Sequence, residues 1–218
     1  MPERAVILVN GVLDQPARIA RRLAGWSDAL VVAADRGSHH AAALGLRLDA
    51  IVGDMDSIGE TERAAFERAG VVFEIAPAEK DETDLELALL YALRRGARHM
   101  VCIGALGGRL DMTLANVFLL TLPALTGARV ELWDGGQTAW LIRPPGDEIS
   151  GQPGDTLSLI PLGGPACGIT THALKYPLRD ETLAPGPARG VSNVLLAERA
   201  RVDCTEGCLL VVHTPGRA

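Results

Sequence analysis

The sequence predicts an α/β fold: a Rossmann-like domain built on a parallel sheet, followed by a smaller all-β sandwich domain. Three observations predict it. From Arg4 to Leu122, short apolar runs alternate with helical segments, the pattern of a parallel sheet covered on both faces. Those runs are almost continuously apolar, as strands buried on two faces must be. After about Gly127 the texture changes to short strand candidates punctuated by Asp134-Gly135-Gly136, Pro144-Pro145-Gly146 and Gly163-Gly164-Pro165, which reads as a small sandwich or barrel. The boundary is expected between Leu125 and Val130 with no flexible linker, giving domains 1–127 and 128–218.

In order, Arg4 to Asn10 reads as a buried strand ending in the turn signal Asn10-Gly11. Pro16 to Ala24 is helical, with Pro16 suited to the first turn. Ala29 to Ala34 is the second strand, Ser38 to Leu46 a short helix, and Ala50 to Gly53 the third strand. Ser57 to Ala69 is helical and Gly70 is placed to stop it. Val71 to Ala76 is the fourth strand. Thr83 to Arg95 is the clearest helix, with Leu85, Leu87, Ala88, Leu90 and Tyr91 on a broad apolar face and Gly96 placed to stop it. Met100 to Ala105 is the fifth strand and Asp111 to Leu122 the next helix. The β half offers strands at Val130–Trp133, Thr138–Ile142, Thr156–Leu162, Ala166–His172, Val194–Glu198, Ala200–Cys204 and Cys208–His213.

Composition narrows the function classes. The net charge is −6 with no Lys/Arg run, which argues against non-specific nucleic-acid binding. The start lacks a signal peptide's apolar core, and no apolar stretch is long enough to span a membrane. A soluble, cytoplasmic protein is expected. Cys102, Cys167, Cys204 and Cys208 fit no dependable zinc spacing and are expected as free thiols. His39 and His40 are expected on a helix surface, and Trp26, Trp133 and Trp140 in packing roles.

The chemistry concentrates at strand ends. Ile51-Val52-Gly53 feeds into Asp54 and Asp56, one residue apart. In an extended segment such positions point the same way, and two close carboxylates call for a cation between them. A divalent metal with oxygen ligands is the natural occupant, and Mg²⁺ usually arrives with phosphates. Asp35 ends the preceding strand. Lys80, Asp81, Thr83 and Asp84 precede the strongest helix, where capping explains part of the cluster. Gly107-Gly108-Arg109 joins a strand to a helix, so backbone N–H groups can approach a phosphate and Arg109 adds a fork of donors. In parallel sheets ligands bind beyond the carboxyl ends of the strands. All these groups should therefore face one side and build an acidic Mg²⁺–nucleotide site for phosphoryl-type transfer. There is no P-loop signature.

Taken together, the motifs resemble the thiamin pyrophosphokinase (thiamine diphosphokinase) family. The matches are Asp35-Arg36-Gly37, Gly53-Asp54-Met55-Asp56-Ser57, Lys80 to Asp84, Gly107 to Asn116, Leu174-Lys175-Tyr176-Pro177-Leu178, and Ser192-Asn193. They span roughly residues 30–195 in the family's order. The resemblance implies an α/β catalytic domain, a thiamine-binding β domain, and a homodimer with thiamine where the subunits meet. It implies Mg²⁺-dependent transfer of the diphosphoryl group of ATP to thiamine, releasing AMP. By match, Asp35, Asp54, Asp56 and Asp84 hold metal and polyphosphate. Lys80, Asp81, Thr83, Gly107, Gly108, Arg109, Asp111 and Asn116 serve the ATP side, with Arg109 and Asp111 also in the catalytic set. Tyr176, Ser192 and Asn193 form the thiamine pocket. Three positions depart from the family pattern: Arg36 and Ala173 replace glycines, and Met112 replaces a histidine. Transfer to a pterin alcohol, or a non-catalytic thiamine or nucleotide sensor, are the rival readings.

Overall fold

The computed structural model describes residues 2–216. The chain divides into two compact units, the first ending at Gly135 and the second beginning at Gly136.

Unit 1 carries six parallel strands: β1 (Arg4–Leu8), β2 (Leu30–Ala34), β3 (Ala50–Gly53), β4 (Val72–Ile75), β5 (His99–Ile103) and β6 (Arg129–Asp134). Their spatial order is β6-β5-β1-β2-β3-β4. The order reverses between β1 and β5, and that switch point is where an open α/β sheet leaves its ligand crevice.

Burial follows the alternation of a two-faced sheet. Val6, Leu8, Val31, Ala33, Ile51, Val101 and Ile103 share one core cluster with Ile19 and Leu23 from α1 (Pro16–Arg22) and the following turn, and with Ala41 and Leu44 from α2 (His40–Leu44). Helix α3 (Glu60–Arg68) starts three residues later than expected, with Gly59 as its cap. Helix α4 (Asp84–Arg94) buries Leu85, Ala88, Leu89, Tyr91 and Ala92 and packs on β1, β2 and β3. Its N-cap is Thr83, whose hydroxyl accepts from Glu86 N at 3.2 Å. Helix α5 is Leu110–Leu119. Strand β4 is an edge, with Val72 and Ile75 exposed.

Two expectations are corrected here. The sequence places Val130–Trp133 in the β half. It lies within β6 and pairs parallel with β5, so this strand belongs to the parallel sheet. A short apolar run does not reveal the direction of its partner. His40 was expected on a helix surface. Instead its Nε2 lies 3.1 Å from the Gly11 carbonyl, and a carbonyl can only accept, so Nε2 carries the proton.

Unit 2 is a sandwich of two sheets. One joins β7 (Gln137–Ile142), β9 (Thr156–Pro161), β12 (Asn193–Val194) and β14 (Leu209–Thr214) in the order β12-β9-β14-β7. The other joins β8 (Gly146–Ser150), β10 (Ala166–His172), β11 (Glu181–Leu183) and β13 (Arg199–Asp203) in the order β11-β10-β13-β8. The strand pairings in this unit are antiparallel among the described residues. Trp140, Leu157, Leu159 and Val211 from the first sheet meet Ile149, Ile169, Leu183 and Val202 from the second in one core. All four cysteines are free thiols, and no helix among the described residues is long and apolar enough to cross a membrane.

Candidate active site

The loops beyond the carboxyl ends of the strands of unit 1 bring the acidic motifs together. Asp35, Asp54 and Asp56 each offer a carboxylate oxygen, and these atoms lie within 4.8 Å of one another. The geometry differs from the sequence expectation in one respect. Asp54 and Asp56 do not lie on extended chain, because Met55 between them is left-handed at φ 62. The turn buries the Met55 side chain in the core and folds Asp56 back, so that its N–H donates to Asp54 Oδ1 at 3.1 Å.

Asp35 is itself left-handed, at φ 45. Its Oδ2 accepts from the Ser57 hydroxyl, while its Oδ1 is buried without a hydrogen-bond partner among the described residues. Asp84, in the first turn of α4, is ion-paired through Oδ1 with Lys80 Nζ at 2.8 Å. Gly53 lies between the two carboxylates. A Cβ on it would stand 3.1 Å from Asp35 Cβ and 3.3 Å from Asp84 Oδ1, and its φ of 153 also favours glycine.

Electrostatics reflect this crowding. The Asp56 carboxyl is held above the ordinary carboxylate range by its hydrogen bond with Asp54 first, then by the charges of Asp54, Asp35 and Asp84. Lys80 is pulled down by desolvation and pushed up by Asp84, Asp54 and Asp35, with the net direction upward. One cation among several carboxylates leaves the site short of positive charge.

A cleft of about 280 Å³ opens at the switch point, lined in part by Asn10, Gly11, Asp35, Asp84, Gly107, Gly108, Arg109 and Asn116. Gly104, Gly107 and Gly108 all hold positive φ; Gly107 and Gly108, in the turn entering α5, are exposed, while Gly104 is buried. Arg109 is exposed and held by two hydrogen bonds to Asp111, which lower the Asp111 carboxyl below its usual range. Asn116 is buried. Its Nδ2 donates to Ala105 O at 2.7 Å, and its Oδ1 has no hydrogen-bond partner among the described residues. Asp81 stays exposed. Thr83 is committed to capping α4.

Ser57, Asn10, Gly11 and His40 join the site although none is among the residues expected there from the sequence. Ser57 was visible as the last letter of the Gly-Asp-x-Asp-Ser run. Asn10-Gly11 shows in the sequence only as a turn, and His40 reaches Gly11 only through the fold.

In unit 2, Tyr176 is 50% exposed between the buried side chains of Leu174 and Leu178. Ser192 is exposed with φ 56, and Asn193 is buried. Ala173 holds φ 59 where the family pattern has glycine, a conformation that costs a non-glycine residue about 1 kcal/mol.

Comparisons with known proteins agree with these motifs. Residues 22–132 match the family model "Thiamin pyrophosphokinase, catalytic domain", and residues 146–209 match "Thiamin pyrophosphokinase, vitamin B1 binding domain". Thiamine pyrophosphokinase of Bacillus subtilis is 30% identical over 210 residues, covering 94% of this chain and 98% of that protein. The crystal structure of thiamine pyrophosphokinase from Bacillus subtilis superposes with a TM-score of 0.84 at 28% identity, covering 97% of this chain and 99% of that one. That of a thiamin pyrophosphokinase family protein from Enterococcus faecalis gives 0.81 at 29% identity, covering 98% and 100%. Two successive domain matches and nearly end-to-end relatives lead to one conclusion: the chain belongs to the thiamin pyrophosphokinase family.

Proposed function

We propose that the chain is a Mg²⁺-dependent thiamine diphosphokinase, converting ATP and thiamine to AMP and thiamine diphosphate. The observation that carries the reading is the convergence of Asp35, Asp54 and Asp56 beside the Lys80–Asp84 pair, at the rim of the parallel sheet.

The residues fit the metal. Three carboxylates with ligand atoms within 4.8 Å, one of them carrying an unpaired buried oxygen, form a hard oxygen donor set suited to Mg²⁺. Asp35, Asp54 and Asp56 would hold it, with Asp84 completing the acidic set. When bound, the ion supplies charge neutralisation at the phosphates.

The remaining work falls to the chain itself. Lys80 and Arg109 meet phosphate oxygens, and the exposed backbone of Gly107 and Gly108 lets the polyphosphate approach. Asn116 Oδ1 offers an acceptor in the cleft wall, and Asp111 steadies Arg109. The hydroxyethyl oxygen of thiamine bonds to the β-phosphorus and gives up its proton to solvent as the bond between that phosphorus and the α,β-bridging oxygen breaks, and AMP carries the bridging oxygen away. Such transfer depends mainly on positioning and charge stabilisation.

On the acceptor side, the half-exposed Tyr176 ring, with Lys175 Nζ 5.4 Å from its centroid, supplies a plane for an electron-poor heterocycle, and the exposed Ser192 completes the polar part of the pocket. A homodimer that brings thiamine to the subunit boundary completes the proposal. The exposed stripe Leu110, Leu114 and Phe118 on α5 supports a partner surface. The four free thiols suit the reducing cytoplasm.

The test is a coupled assay for AMP release from ATP with thiamine or with a pterin alcohol as acceptor. AMP formed with thiamine and not with the pterin supports the reading. Release with the pterin alone, or with neither, overturns it.

A further inference from the structure

The segment that presents Tyr176 lies beside β12. Lys175 N donates to Val194 O at 2.9 Å, Leu196 N donates to Ala173 O at 2.9 Å, and Leu174 bridges to Leu195. This pairing of backbones stops short of Tyr176, because the chain turns at Ser192, φ 56. The Asn193 side chain takes over from it. Its Oδ1 accepts from Tyr176 N at 2.9 Å and its Nδ2 donates to Tyr176 O at 2.7 Å. The carboxamide thus grips one residue's N–H and C=O as a neighbouring strand would. The network fixes which end is oxygen, since an N–H needs an acceptor and a carbonyl needs a donor.

Asn193 has little left to offer a ligand. Its Oδ1 also accepts from Val194 N at 2.9 Å, which uses both lone pairs. The residue is 2% exposed. An amino group on an acceptor heterocycle would find no free oxygen there.

We infer that Asn193 is a positioning residue for the acceptor, acting on thiamine by holding the backbone of Tyr176 so that the ring stands ready for stacking. The inference rests on the reading of Tyr176 as the thiamine platform. It removes Asn193 from the set of groups that touch the substrate and gives it a different task in the same reaction. It also explains the residue type. Aspartate has the size but no donor, and would set a carboxylate oxygen against the Tyr176 carbonyl.

A double-mutant cycle on the full chain separates the possibilities. Asn193→Ala should raise KM for thiamine about tenfold, within the range of contact couplings, and leave KM for ATP and kcat within about twofold. Asn193→Asp should be as harmful as alanine. Tyr176→Ala should raise KM for thiamine. In the Tyr176→Ala background, Asn193→Ala should add less than about twofold, since its route to the substrate is already lost.

Full multiplication of the two effects would show that Asn193 acts independently of the ring and would overturn the inference. So would wild-type KM in Asn193→Asp. If the alanine variant does not fold, Asn193→Ser and Asn193→Asp carry the cycle. An unchanged KM in Tyr176→Ala would sink the stacking platform and this inference while leaving the kinase reading intact. Wild-type chain that forms no AMP from thiamine would sink the kinase reading itself.

Discussion

Single residues decide whether the acidic site can exist. Asp56 shares one small volume with Asp35 and Asp54, and its charge is the part of it that matters to a metal. Asp56→Asn keeps the shape and removes the charge. Turnover should fall by at least about 10²-fold, the loss typical of a removed electrostatic stabiliser, with thermal stability unchanged or raised as like-charge repulsion is relieved. Near-normal turnover would discard the metal assignment. Gly53 is the complementary case. Gly53→Ala adds a methyl between Asp35 and Asp84 on a backbone that disfavours it. It should cost about 1–3 kcal/mol of stability and lower kcat, measured by urea denaturation and AMP release. The sequence made the identities of these carboxylates legible, because Asp-x-Asp after an apolar run implies a shared cation. It did not reveal how they meet. The extended geometry expected for Asp54 and Asp56 is replaced by a left-handed Met55, and no propensity rule marks methionine for that conformation.

Elements carry those residues to the rim. Helix α4 holds Asp84 in its first turn, and its start is set by the Thr83 hydroxyl on Glu86 N. Thr83→Ala should destabilise the chain by about 1 kcal/mol. Because a frayed first turn also releases Asp84, kcat should drop while KM for thiamine stays near its starting value; a stability loss with unchanged kcat would separate the cap from the site. This helix was readable in advance, since cap, apolar face and Gly96 stop all agree. Strands β8 and β11 were not. Gly146-Asp147-Glu148-Ile149-Ser150 and Glu181-Thr182-Leu183 offer too few apolar residues for alternation to register, and only pairing with β13 and β10 makes them strands.

On the scale of the whole molecule, each unit has its own core, and unit 1 also has a polar tie away from the site. Glu131 in β6 is buried and bonded by Arg129 Nε at 2.6 Å, Trp133 Nε1 at 2.8 Å and His99 Nε2 at 3.2 Å. Burial pushes its carboxyl up, but the bonds from His99, Arg129 and Trp133 outweigh it and hold the group at about 2. A carboxyl depressed by folding stabilises fully above the unfolded value, near 4.5, and that contribution is lost as pH falls toward 2. The amount at stake is about 3 kcal/mol. Wild type should therefore lose more stability than Glu131→Gln between pH 5 and pH 2.5 in parallel urea titrations; equal losses would contradict this. Nothing in the letters pointed to this tie, because its donors come from two strands adjacent only in the folded sheet.

The central claim is that Asp35, Asp54 and Asp56 form the metal seat at which the diphosphoryl group is transferred. A crystal structure with Mg²⁺, thiamine and an unreactive ATP analogue tests it most directly. The account predicts oxygen-coordinated Mg²⁺ on these carboxylates, with polyphosphate running toward Lys80 and Gly107-Gly108-Arg109. Metal and polyphosphate seated elsewhere, such as in the 610 Å³ hollow beside Trp26, Asp28, Arg47 and Asp49, would contradict it.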